Sequence, residues 1–91
     1  MIIGDVVGNV WATRKSDSLT GLKLMIVRRL DVFSNEEKES FVAADLVGAG
    51  IGERVLVATG SAARQSTELE NALVDASIIG IIDEIDVPGG N

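Results

Sequence analysis

The sequence predicts a mainly β domain: a small five-stranded barrel of OB-like type, with a short helical insert before the last strand. Three observations predict it. Apolar residues make up 46% of the chain but aromatics only 3%, so aliphatic side chains, many of them β-branched, supply the core and favour strands. These residues fall into five runs separated by polar or glycine-rich turns, the spacing of a small all-β fold. The only helical signals are two short capping patterns between the fourth and fifth runs, which suits a barrel of this kind.

The first strand is predicted over Ile2 to Lys15. Ile2, Gly4, Val6, Gly8, Val10 and Ala12 share one face, all apolar or small, and are expected to line the core. Gly4 and Gly8 on that face imply sharp bending. Ile3, Val7 and Trp11 recur on the other face, where a lone barrel should be polar, so that face is expected to meet a partner. Lys15 to Ser18 is a polar turn. Leu22 to Leu30 is the second strand, with Leu22, Leu24, Ile26 and Leu30 on one face. Lys23, Met25, Val27 and Arg29 are expected outside, a basic and apolar mixture. Asp31 to Ser40 is expected to be a loop whose charged tip, Asn35 to Glu39, is solvated. Phe41 to Val47 is the third strand and Arg54 to Thr59 the fourth. Between them Gly48, Gly50 and Gly52 form a turn; glycines at that density let backbones approach closely or take φ > 0, so the turn is expected where space is tight.

Ser61 is placed to cap one helical turn running to Gln65. Thr67 with Glu70 makes a capping box for a second, Glu68 to Leu73. Both pieces are too short to hold without packing. Asp75 to Val87 is the last strand. Ile78 and Ile82 face one way, and Ile79, Ile81 and Ile85 the other. Apolar on both sides, it belongs in the middle of the sheet or in a subunit contact. The expected organisation is one domain over 1–87 and a loose tail over 88–91.

A chain of 91 residues buries only about 60–65% of its unfolded surface and is marginal alone unless something staples it. It has neither Cys nor His, which removes disulfides and, in practice, structural zinc. Oligomerisation is the device left. A net charge of −6 argues against nucleic acid and anionic membranes, both of which need a basic footprint. No stretch approaches the roughly 20 apolar residues of a spanning helix. The expected setting is the cytoplasm.

The glycine turn is not a phosphate loop by pattern, because it leads into a strand and not a helix. Ser61 has no histidine to activate it, and its better role is the helix cap. Asp83, Glu84 and Asp86 form an acidic cluster, but neighbours on a strand point to opposite faces, so a solvated strand end is the better account. Arg64 follows two alanines that permit close approach; it either bridges carboxylates or carbonyls across a contact or lies on a surface helix. With no His, Cys or Tyr, acid–base work would fall to carboxylates and lysine, so no enzyme and no cofactor are expected.

Four motifs occur in order along nearly the whole chain. They are Gly8-x-Val10-x-Ala12-Thr13-x-Lys15, then Leu19-x-Gly21-x-Lys23-Leu24, then Val47-Gly48-Ala49-Gly50-x-Gly52-x-x-Val55-Leu56-Val57 followed by Gly60-Ser61-x-Ala63-Arg64, and finally Val74-Asp75-Ala76 with Ile78-Ile79-Gly80-Ile81-Ile82-Asp83. The third is the most specific. Together they resemble the EutN/CcmL family, the pentameric vertex proteins of bacterial microcompartment shells. Arg54 stands where many members carry an aromatic residue. The resemblance implies a homopentamer that plugs the five-fold corners of a shell tiled by hexameric shell proteins. It gives the outward apolar residues a destination between subunits. Gly48, Ala49 and Gly50 are then expected to line or narrow an opening at the five-fold axis. Val7, Trp11, Ser61, Arg64, Ile79 and Ile81 are expected at subunit contacts. The alternative is an OB-like binding module for a small ligand.

Overall fold

Alternation of buried and open positions produces five strands. They are β1 (Ile2–Val10), β2 (Lys23–Asp31), β3 (Glu36–Asp45), β4 (Arg54–Thr59) and β5 (Ala76–Ile81). The computed structural model describes residues 1–13, 17–19, 21–34, 36–60, 74–86 and 88. The predicted helical insert, with Ser61 and Arg64, lies outside the described residues. The strands close into a barrel in the order β1-β2-β3-β5-β4. Every pairing is antiparallel except β3 with β5. The predicted five-stranded barrel is therefore the fold. β5 lies between β3 and β4.

The core is aliphatic: Val6, Met25, Val27, Ala43, Ala49, Val55, Val57, Ala76 and Ile78 pack together, with Ile2 and Phe41 against them. Met25 and Val27 are 1% and 0% exposed, which overturns their expected place on the outer face of β2. The even-numbered residues of that strand are not in this core. Leu22 and Leu24 join Leu19 and Leu46 around buried Ala44 and Val74 in a second cluster. Leu24 thus meets a cluster of its own while Met25 and Val27 meet the main one, and parity alone does not say which face is the barrel interior.

β-Bulges explain the other departures from simple alternation, since one extra residue moves every later side chain to the opposite face. The β1–β2 register slips between Val6 and Gly8. Val6 faces Val27 in the core, whereas Gly8 and Val10 pair with Ile26 and Leu24, on the side away from Val27. Gly8 and Val10 therefore leave the interior face on which alternation had placed them. A second slip, between Arg28 and Leu30, accompanies the burial of Leu30, whose parity is opposite to that of Val27. A third, between Leu56 and Val57, brings Ile81 opposite Val55.

Three boundaries also differ. β1 ends at Val10. The charged run after the β2–β3 turn is strand and not loop, because β3 starts at Glu36 and pairs with the end of β2. Its exposed side chains pair locally, Lys38 with Glu36 and Arg29 with Glu39. In the turn, Asp31 Oδ1 accepts from the amides of Phe33 and Ser34 at 3.0 and 3.4 Å. Those backbone hydrogen bonds, Phe33 first, hold the Asp31 carboxyl below its ordinary range. β5 stops at Ile81, so Asp83, Glu84 and Asp86 follow the strand as exposed residues.

Candidate functional site

Two features of the surface need a functional account: the turn between β3 and β4, and the apolar side chains left outside the barrel. The turn is built by charged side chains acting on its backbone. Asp45, the last residue of β3, accepts hydrogen bonds at Oδ1 from Val47 N and Gly48 N, at 3.0 and 3.1 Å. This is the Asx-type contact by which Asp starts a turn. Glu53 Oε1 accepts from Gly50 N at 2.6 Å, and Glu53 N donates to Gly50 O at 3.1 Å. Lys23, across the sheet on β2, donates to Ala49 O at 3.1 Å. Two backbone bonds then stitch the turn to β1: Gly52 N to Val6 O at 2.8 Å, and Val6 N to Glu53 O at 2.9 Å.

The glycines serve conformation here. Gly48 and Gly52 have φ of +78° and +95°, a region that residues with a Cβ enter only at a cost. A Cβ at either would meet nothing within 4 Å. The expectation of tight space is therefore not met within one protomer. Ala49 is fully buried in the barrel core, so its side chain faces the interior, while Ile51 is 62% exposed at the tip.

Of the predicted contact residues, Trp11 is 89% exposed and Val7 and Ile81 are each 39% exposed. Ile79 is half-buried. Val7 sits at the β1 bulge and Ile79 at the β5 irregularity. Bulges that re-aim a side chain are frequent at barrel rims. Trp11 lines a cleft of about 420 Å³ together with Val10, Ala12, Leu22 and Leu24 among others. Val42, at 48% exposed, extends the outer row beside Ile26, its cross-strand partner.

Sequence reasoning missed the side chains that hold these features. Asp45 had a readable signal, an Asp two and three residues before the amides it holds. Asp5 and Arg54 had none. They lie opposite each other on β1 and β4, and Arg54 Nε and Nη2 donate to Asp5 Oδ1 and Oδ2 at 2.8 and 3.2 Å. The hydrogen bonds to Asp5 push the Arg54 guanidinium above its ordinary value. Among the described residues no group of three or more His, Cys, Asp or Glu is placed to hold a metal ion.

Residues 1–83 match the family described as ethanolamine utilisation protein EutN/carboxysome. The chain is similar to the bacterial microcompartment shell vertex protein GrpN of Rhodospirillum rubrum, with 43% identity over 86 residues covering 94% of this chain and 97% of that one. It is equally similar, 43% over 91 residues, to the carboxysome shell vertex protein CcmL of Synechocystis sp., covering all of this chain and 91% of the relative. The solved structure of the Rhodospirillum rubrum GrpN pentameric microcompartment shell protein superposes with a TM-score of 0.85 at 41% identity, over 96% of this chain and 99% of that one.

Proposed function

The chain belongs to the family of ethanolamine utilisation protein EutN and the carboxysome vertex proteins, and from that premise we propose that it is a structural shell protein whose pentamers cap the corners of a bacterial microcompartment. The observation that carries the reading is where the apolar surface lies. A closed barrel has no free strand edge to offer a partner, so association must run through side-chain faces. Val7, Val42 and Ile81 stand exposed on such faces, with Trp11 just past the end of β1 and Ile51 at the tip of the β3–β4 turn. Identical subunits joined head-to-tail close into a ring when the rotation closes, and a five-fold unit gives curvature to a shell of flat hexamers. The relatives are named for a place in a shell and not for a reaction, and this chain is no enzyme.

In this reading the ring buries Trp11 and Val7, together with Ile79, Ile81, Ser61 and Arg64, between neighbours. The turn carrying Gly48, Ala49 and Gly50 stands at the five-fold axis. Ala49 contributes backbone there, because its side chain belongs to the core. The outer rim of the ring meets hexameric shell proteins, and the assembly resides in a shell within the cytoplasm.

Native mass spectrometry tests the ring: five chains are expected, and a well-folded single copy at high concentration would overturn it. The turn's position has its own test. The chain lacks Cys, so Ile51→Cys introduces a single thiol at the exposed tip. Near an axis, oxidation should link neighbouring copies, since a disulfide forms only when Cα atoms come within about 7 Å. A native pentamer that never cross-links places the turn elsewhere.

A further inference from the structure

We propose that Lys23 and Asp45 are a positioning pair that fixes the stance of the β3–β4 turn, separately from the stability of the barrel. The Asp45 side chain is 1% exposed. Its Oδ1 is occupied by the amides of Val47 and Gly48. Its Oδ2 is buried with no hydrogen-bond partner, and the charge facing it is Lys23 Nζ at 3.6 Å. A buried carboxylate oxygen without a hydrogen bond is costly unless a counter-charge stands by it. The same ammonium donates to Ala49 O. One lysine therefore touches both the carboxylate that opens the turn and a carbonyl within it.

The register explains the reach. Lys23 and Asp45 are directly opposed at the end of the β2–β3 ladder, so the lysine stem leaves the sheet beside the turn. The Lys23 side chain is 53% exposed and is no part of the barrel core. Removing its charge leaves the core packing in place. It strands Asp45 Oδ2, and it cuts the tie between the turn and β2. The bonds from the turn to Val6 anchor only its far end, at Gly52 and Glu53. The pair holds the near end, at the Val47 and Gly48 amides and the Ala49 carbonyl, while Glu53 holds Gly50 and the core holds the Ala49 side chain. The further claim, that the pair sets how five turns meet, rests on the ring reading above.

Amide hydrogen exchange on the assembled protein tests the pair, since it reads local opening residue by residue. Lys23→Met keeps the stem and removes the charge. Exchange at Val47 and Gly48 is expected to rise at least tenfold, with Val27 and Val57 in the barrel unchanged. Asp45→Asn, which keeps an acceptor at Oδ1 and removes the charge, is expected to give the same pattern, and Lys23→Arg to restore slow exchange. Unchanged exchange at Val47 and Gly48 would overturn the proposal. So would equal acceleration throughout the barrel, because the pair would then be an ordinary stabilising contact. In the Ile51→Cys background, Lys23→Met should slow interchain cross-linking severalfold. If wild-type mass or the Ile51→Cys variant alone refutes the ring, the exchange result still decides the pair.

Discussion

At Gly4 the barrel leaves no room for a side chain. A Cβ there would lie 2.5 Å from Val27 Cγ1 and 2.7 Å from the Arg28 carbonyl oxygen. Val27 is fully buried and the carbonyl belongs to the sheet, so neither gives way easily. Gly4→Ala is expected to cost about 1–3 kcal/mol, lowering the melting temperature by roughly 4–8 °C per kcal/mol in a domain of this size. An unchanged melting curve would show that β1 and β2 separate freely. Asp31 makes a second residue-scale case. Its pKa lies below the ordinary 3.8 because its carboxylate accepts backbone amides. A group depressed in the folded state stabilises above its ordinary value, and that contribution is lost as pH falls through the folded value. A carboxyl titration followed by NMR should place its midpoint below 3.8. The Gly48 to Gly52 turn was legible as a turn because glycine density marks it. The structure shows that Gly48 and Gly52 are needed for φ, and the sequence does not distinguish a glycine needed for φ from one needed for space.

The strands were legible in number and order, and β4 in its full extent, because Val55, Leu56 and Val57 are bounded by clear turn residues. Their faces were legible only as far as the first bulge. Alternation placed Gly4 and Val6 inside and failed at Gly8, one residue past the slip in β1. It failed on β2 because both faces are apolar there. The charged run in β3 was missed because strand formation at Glu36 to Ser40 is imposed by pairing with β2 and not by any apolar pattern. Between β1 and β4, Asp5 and Arg54 join two strands through a two-pronged contact. The arginine side chain is 40% exposed, so the pair is worth about 0.2–1 kcal/mol. A double-mutant cycle with Asp5→Asn and Arg54→Gln should return a coupling within that range. A larger value would mean the pair is desolvated in the assembly.

At the scale of the whole molecule the question is what covers Trp11. It is the chain's one tryptophan and is 89% exposed on the isolated subunit. If a neighbour covers it, the assembled ring should fluoresce at shorter wavelength than a dissociated variant, and Trp11→Ser should lower the melting temperature measured at a fixed protein concentration. Assembly that binds only the folded form stabilises by mass action. Identical emission from ring and single copy would place Trp11 on the open surface. That outcome would move the subunit contact to the Val7 and Ile81 surface.

Composition, five aliphatic runs and four ordered motifs determined a small β barrel of the EutN and carboxysome family, because they are local and survive without coordinates. Only the tertiary structure decided which face of each strand is interior, since bulges shift register without leaving a composition signal. Only strand pairing set Lys23 opposite Asp45 and near Ala49, and Asp5 opposite Arg54. Those contacts join residues distant in the chain, and electrostatics at 3 to 4 Å depends on where strands end in space and not on their spacing in sequence.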